Sequence, residues 1–492
     1  MKKIILAGAL LLLLGALFGR KGPAPAAGSV FRMNLTSEPP TLDWSLATDN
    51  VSIRVIENLM EGLAEYDPQL RPKPAIAKGW EVSADGLRYL FRLRNDVFWS
   101  DGKRVTAGDF EYSWKRLLDP KTASEYAYFL YDIRNAAEYN AGKVTDPEAV
   151  GVKALDEATL QVDLKKPAVY FPSIVTFTGT FPLRRDIIEK YGERWTDPEH
   201  LITCGPFRLK EWRHEYRLTL EANDRYYGGR PSLDRVLFYV VEEETTALTL
   251  YETDHLDRVS LPPVAIPRYQ NRSDYIHAPF LRGYYYGFNM AKAPFDDRRL
   301  RQAFSMAIDR TELPRILKGG EIPATSWIPE GMFGHNPKIG LGFNPDQARR
   351  LLAEAGYPGG AGLPPVAVAF NTDPTNRLIA ENLQAQWKRN LGVTVGLDNM
   401  EWKVYLKQLK EDTPQIFRLG WGADYPDPDN FMNLFTGASG NNYSRWKSDE
   451  YDRLISTAAS EPDEAKRRAL YDEAQKILTE REVPIMPLFF AA

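Results

Sequence analysis

Between residues 87 and 93 the apolar side chains Leu87, Tyr89, Phe91 and Leu93 alternate with polar ones, and Arg88, Arg92 and Arg94 fall on the opposite side. A period of two predicts a strand with one buried face, and Asp85-Gly86 ahead of it predicts a tight turn. Asp101-Gly102 marks a second turn. Thr106 followed three residues later by Asp109 has the form of a capping box, and Phe110, Trp114 and Leu117 recur behind it at helical spacing. Residues 80–120 therefore read as hairpin, turn and helix.

Farther along, residues 159–164, 207–212, 216–220 and 236–241 predict strands, with a helical segment over 171–177, so the middle of the chain is sheet-rich. Residues 281–289 contain the run Tyr284-Tyr285-Tyr286, and a helix is predicted over 297–309 with Leu300, Phe304 and Ile308 on one face. From Asn344 onward the pattern alternates. Asn344 caps a helix, Pro345 opens it, Leu351 and Leu352 point inward and Gly356 ends it. Strands over 366–370, 393–397 and 415–420 then interleave with helices over 375–391 and 402–410. Such alternation predicts a mostly parallel sheet, whose ligands sit beyond the carboxyl ends of its strands. That points to the loops 371–374 and 421–428.

A chain of 492 residues with 43% hydrophobic content buries a large core and is expected to divide into at least two lobes. Lys2 and Lys3 precede an apolar run over 4–18, too short for a comfortable membrane span, and Ala24-Pro25-Ala26 supplies an Ala-x-Ala cleavage pattern. Residues 1–26 are thus read as a signal peptide, with export to the periplasm or the outer face of the cell envelope. Removing its four basic residues leaves 58 basic against 66 acidic side chains, a formal charge of −8, which argues against nucleic-acid binding. Cys204 is the only cysteine, so no intrachain disulfide forms and a buried, inert thiol is expected. The five histidines fall in no His-Glu-x-x-His or Cys/His pattern. No Gly-x-Ser-x-Gly, metal-ligand cluster or glycine-rich phosphate loop occurs, so neither an enzyme nor a metal or cofactor site is predicted.

Residues 420–431, Gly-Trp-Gly-Ala-Asp-Tyr-Pro-Asp-Pro-Asp-Asn-Phe, form a second motif. Together with the 80–120 block, Glu38-Pro39-Pro40-Thr41-Leu42-Asp43 and Glu401-Trp402, the chain from residue 31 onward resembles the extracellular solute-binding proteins of family 5, or cluster C. These are the oligopeptide- and dipeptide-binding proteins of ABC transporters. The resemblance implies a two-lobed, three-domain α/β fold of the type II periplasmic-binding-protein class, with mixed sheets flanked by helices. Lobe I would comprise 29–60 plus 181–281, an inserted domain 61–180, and lobe II 282–492. Relatives continue past the position of Ala492 with a return segment, so a truncated C-terminus is expected; a chain lacking the segment outright would leave an exposed apolar edge. The cysteine that accepts a lipid in many relatives is replaced, since Leu17-Phe18-Gly19 is followed by Arg20, which argues against a lipid anchor.

The function implied is capture of short peptides between the lobes and their delivery, by a monomer, to the membrane subunits of an ABC permease. A free peptide offers an ammonium, a carboxylate and alternating backbone groups, so its receptor needs an acid, a base and an open strand edge. By resemblance, Asp424 pairs with the ammonium, and the backbone of Gly420, Trp421, Gly422 and Ala423 pairs with the peptide. Trp402 and Trp421 line side-chain pockets, and Arg418 holds the carboxylate of shorter peptides. On the residues alone, Asp424 reads as a turn or helix-cap residue and the tryptophans as core, while Arg418 reads as a carboxylate holder or a solvated strand residue. A second carboxylate-binding position of the family is Asn376 here, with Arg377 beside it, and a third is Ser305. The family's inter-loop disulfide would join the positions of Arg282 and Gly422, so the ligand loop is expected to be held by packing alone, with Arg282 adding positive charge at its rim. Receptors for nickel complexes, haem, opines or sugars share these lobes and remain open alternatives, as do a secreted peptide hydrolase and a periplasmic chaperone.

Overall fold

The computed structural model describes residues 28–491; the expected signal peptide, residues 1–26, and its cleavage position lie outside the described residues. The first half of the chain supplies β1 (Val30–Leu35), a small ribbon of β2 (Ala64–Tyr66) and β3 (Pro72–Pro74), then β4 (Ala77–Val82), β5 (Arg88–Leu93), β6 (Val152–Asp156), β7 (Thr159–Asp163), β8 (Phe207–Arg213), β9 (Arg217–Ala222) and β10 (Arg235–Val240). They assemble as two four-stranded sheets, β1-β10-β9-β8 and β4-β5-β7-β6, above one continuous apolar core running from Met33 to Phe238. Local rules account for this part. β5 buries Tyr89, Phe91 and Leu93 and exposes Arg88 and Arg92. The Asp109 carboxylate accepts the Thr106 N–H at 2.8 Å, closing the capping box that starts the helix Ala107–Leu118. Phe110, Trp114 and Leu117 of that helix are fully buried.

The second half forms one six-stranded sheet from β11 (Arg282–Phe288), β12 (Ile322–Pro323), β13 (Val366–Asn371), β14 (Val395–Met400), β15 (Ile416–Gly422) and β16 (Ile485–Phe490), in the order β12-β16-β11-β15-β13-β14. Helices Arg298–Met306, Pro345–Glu354 and Pro374–Leu391 bury one face; Trp402–Glu411, Asp449–Ser460 and Glu464–Lys476 bury the other. The sheet is mixed and not mostly parallel. Only β13 with β14 and β13 with β15 run parallel, while β11 is antiparallel to both β15 and β16. The helical crossovers after Asn344 dictate the parallel part. β11 and β16 lie outside that run and join by long-range pairing. All six residues of β16 are buried, and β12 and β11 flank it, so no apolar edge is exposed there.

The two halves form two lobes in contact. Ala459 belongs to the first lobe's core, Tyr425 packs against it, and the Val169 N–H donates to the Ala459 carbonyl at 2.9 Å.

Candidate functional site

The site begins where two strands part. β11 pairs with β15 along its whole length, but on its other side β15 meets β13 only at Ile416 and Phe417. The buried Tyr405 hydroxyl sits in the fork, 2.6 Å from the Arg418 carbonyl and 3.2 Å from that of Ala369. Past this point β15 has a free edge. The Ala423 N–H bonds back to Leu281 at 2.8 Å, so strand alternation turns the backbone groups of Trp421 and Ala423 toward β11 and those of Gly420 and Gly422 outward. Two of the four positions expected to offer backbone pairing therefore face the edge. A Cβ at Gly422 would meet nothing within 4 Å, which leaves the strip bare.

Asp424 follows this edge directly. Its carboxylate accepts from the Tyr128 hydroxyl and from the Asn430 amide, each at 3.3 Å, and among the described residues it has no cationic partner. Burial pushes its carboxyl above the ordinary value, offset in part by those two hydrogen bonds. Tyr128 comes from the first lobe, where it packs in an aromatic group with Tyr126 and Phe129. The acid is thus half-buried, poorly solvated and bordered by aromatic faces, the surroundings that favour a cation.

The loop carrying Asp424 is held by more than packing. Asn430 accepts the Trp421 indole N–H at 2.8 Å and the Asp424 N–H at 3.1 Å. Two residues beyond Tyr425, the Asp427 carboxylate takes two hydrogen bonds from the buried Arg467 guanidinium, at 2.9 and 2.7 Å. Polar side chains of the loop and of the Glu464–Lys476 helix thus fix it without a disulfide. Arg282 and Gly422 do face each other directly across the β11–β15 ladder.

A cavity of about 490 Å³ opens at the carboxyl end of β13, lined by Arg282, Arg418, Asn376, Trp402, Tyr284 and Asp373 among others. Arg418 is well placed. Its guanidinium donates to Asn371 at 3.1 Å and lies 4.5 Å from the centre of the Tyr284 ring, while its buried Nε has no partner. Asn376 secures both supports, donating to Asn371 at 3.0 Å and accepting from the Tyr284 hydroxyl at 2.9 Å. Trp402 is 43% exposed and so offers a ring face rather than core packing.

Three expected positions lie elsewhere. Arg377 points away and pairs with Glu381 at 2.9 Å, one helical turn on. Trp421 packs on the second lobe's core and is absent from the cavity wall. Ser305 is buried and accepts from Arg310 at 3.0 Å. Tyr128, Tyr405 and Asn430 were missed, whereas Asn371 opens the predicted loop 371–374. Asn430 was within reach, six residues from Asp424 in the same motif, whereas nothing in the sequence links Tyr128 to a residue 296 positions away. Cys204 is buried, and burial pushes its thiol up, as an inert cysteine requires. Among the described residues no three His, Cys, Asp or Glu side chains gather as metal ligands, and no helix is long and apolar enough to cross a membrane.

Two α/β lobes that meet at an acid with no cationic partner among the described residues, one of them carrying an open cavity lined by charged side chains, have the architecture of a two-lobed solute receptor. The family of bacterial extracellular solute-binding proteins, family 5, matches residues 71–443, and the chain belongs to that family. The oligopeptide-binding protein OppA of Bacillus subtilis is 33% identical over 94% of this chain and 87% of its own length. The "Probable deoxycholate-binding periplasmic protein YgiS" of Escherichia coli K12 is also 33% identical, over 94% and 88%. Among solved structures, the unliganded open form of the murein tripeptide-binding protein MppA superposes with a TM-score of 0.86 at 33% identity, covering 96% of this chain and 93% of that one. A second structure of MppA, from Escherichia coli, gives 0.72 at the same identity, covering 95% and 94%.

Proposed function

We propose that this protein captures short peptides outside the cytoplasm and hands them to an ABC permease. The observation that carries the reading is the Asp424 carboxylate, without a cationic partner among the described residues, at the end of a free strand edge whose Arg418 lines a cavity. Asp424 takes the peptide's ammonium, Gly420 and Gly422 pair with its backbone as an added strand, and Arg418 takes its carboxylate. Arg418 leans over Tyr284, which is paired with Gly420, four residues before Asp424. That is about 13 Å at ~3.3 Å per strand residue, room for roughly three to four peptide residues.

The polypeptide acts as a monomeric receptor, not an enzyme, and needs no metal or cofactor. The periplasmic names of relatives and the leader sequence support export. The boundary between lobe I (29–60 plus 181–281) and lobe II (282–492) is supported by apolar cores that separate near residue 281; the inserted domain (61–180) carries its own four-stranded sheet, β4-β5-β7-β6, on a core it shares with lobe I. Titration calorimetry with Ala-Ala-Ala tests the reading: expected is micromolar or tighter one-to-one binding, with the peptide recovered intact by mass spectrometry. Cleavage would make the protein a hydrolase, and absence of binding would sink the peptide reading. The 33% identity to a relative named for deoxycholate favours one competitor, so deoxycholate belongs in the same titration; displacement by it alone would assign a steroid cargo.

A further inference from the structure

We propose that Arg282 and Arg418 act as a two-guanidinium clamp that selects peptides whose C-terminal residue is acidic. The inference rests on the peptide reading above and assigns a substrate class to the same site. Both arginines line the one cavity. Among the described residues neither makes an ion pair, although most arginines packed elsewhere in the fold do, including Arg116, Arg184 and Arg467.

The register places the pair on one face. Arg282 is paired with Gly422 and Arg418 with Tyr286, so their Cα atoms stand four positions apart along adjacent antiparallel strands. Residues directly opposite in a ladder share a face, and alternate residues return to it. Arg282, Tyr284, Arg418, Gly420 and Gly422 therefore all project to the same side. The Arg418 guanidinium already leans two positions toward Arg282, since it lies over the ring of Tyr284. Gly420 and Gly422 raise no side chain between the two. About 13 Å of strand separates the two Cα levels, and the lean of Arg418 over Tyr284 shortens that span from its side.

Two unpaired cations over one cavity call for two negative charges. A single carboxylate at a peptide's end supplies one; a C-terminal Asp or Glu supplies both, its two carboxyl carbons three or four bonds apart. The cavity wall also holds Asp373 and Glu321, but backbone donors engage each of them. Asp373 accepts the Asn376 N–H at 2.9 Å and Glu321 the Gly319 N–H at 3.0 Å. Among the described residues neither carboxylate forms an ion pair with Arg282 or Arg418, and Arg418, although it donates to Asn371, keeps its Nε without a partner.

Calorimetry with Ala-Ala-Glu, Ala-Ala-Ala and Ala-Ala-Lys on the full-length mature chain and on Arg282→Gln tests this. Arg282 is exposed, so its variant should keep the parent's melting temperature. For the unaltered protein Ala-Ala-Glu is expected to bind at least about fivefold more tightly than Ala-Ala-Ala, the scale of one partly exposed charge pair. In Arg282→Gln that ratio is expected to fall toward one. Equal affinities in the parent, a preference for Ala-Ala-Lys, or a Glu preference that survives Arg282→Gln would each overturn the clamp. If Ala-Ala-Ala binds while the ratio stays at one, only the clamp fails. If no tripeptide binds, the peptide reading fails with it.

Discussion

Replacing Asp424 by Asn keeps the shape of the side chain and removes its charge. The two hydrogen bonds that reach the carboxylate are long, 3.3 Å each, against the 2.7–2.9 Å usual for donors to a charged oxygen. An incoming ammonium thus meets an acid that the protein has only weakly satisfied. Truncating one partner of a desolvated charge pair costs about 2–5 kcal/mol of binding. A half-buried site belongs near the middle, about 3 kcal/mol, or roughly 150-fold in Kd at 1.36 kcal/mol per decade. Stability should move the other way. Burial raises this carboxyl above its unfolded value, so its contribution to folding is fully present below the ordinary carboxylate range and is lost as pH rises through the raised value. At pH 7 the charge is a burden on the unliganded fold, and Asp424→Asn should unfold in urea at the same midpoint or a higher one. Titration calorimetry with Ala-Ala-Ala and its N-acetyl derivative completes a cycle: acetylation should weaken the parent about as much as the substitution does, and should cost the variant little more. The pairing is refuted if Asp424→Asn binds within threefold of the parent, or if acetylation costs both proteins equally.

Other outcomes follow from the same geometry. Tyr405→Phe leaves the carbonyls of Arg418 and Ala369 at the strand fork without their shared hydroxyl, so urea unfolding should show a loss of about 1–3 kcal/mol, and tripeptide affinity should weaken as the edge shifts. Arg467→Ala strands Asp427 in the interior and should cost about 3–5 kcal/mol; adding Asp427→Ala should cost less than the sum of the two single changes, which denaturant titration of all three variants measures. Burial and the neighbouring Asp427 charge raise Asp429 to about 7, so its contribution to stability is present below about pH 4 and declines as pH rises to about 7. Asp429→Asn should flatten that part of a stability-against-pH curve, and an unchanged slope would place the titration on another group.

Legibility in the sequence followed the range of the interaction. The capping box at Thr106 and Asp109, the buried stripe of Phe110, Trp114 and Leu117, and the cap at Asn344 all depend on neighbours three or four positions away, and each formed as read. β16 was not recognised: six apolar residues make sense as a strand only beside β11, which the local pattern does not show. The same limit governed the site. Asp424, Arg418, Asn376 and Trp402 came from motifs, yet their supports did not. Asn371 and Tyr284 hold Arg418 from two other strands, and Tyr128 reaches Asp424 from the opposite lobe. Arg377 was misplaced because adjacency in a helix turns the side chain about 100° from its neighbour, toward Glu381 and solvent.

The position of β16 bears on how the second lobe is made. Its residues pair with β11 across about 200 positions of chain, and together the two strands fill the middle of the six-stranded sheet. A polypeptide emerging N-terminus first therefore shows β11 with one edge unfilled until nearly the whole lobe has passed through. Loop closure over that distance must precede any gain from the pairing, which slows folding and leaves a sticky strand waiting. For a protein exported as proposed above, such delay is an asset: the lobe stays translocation-competent until β16 pairs with β11.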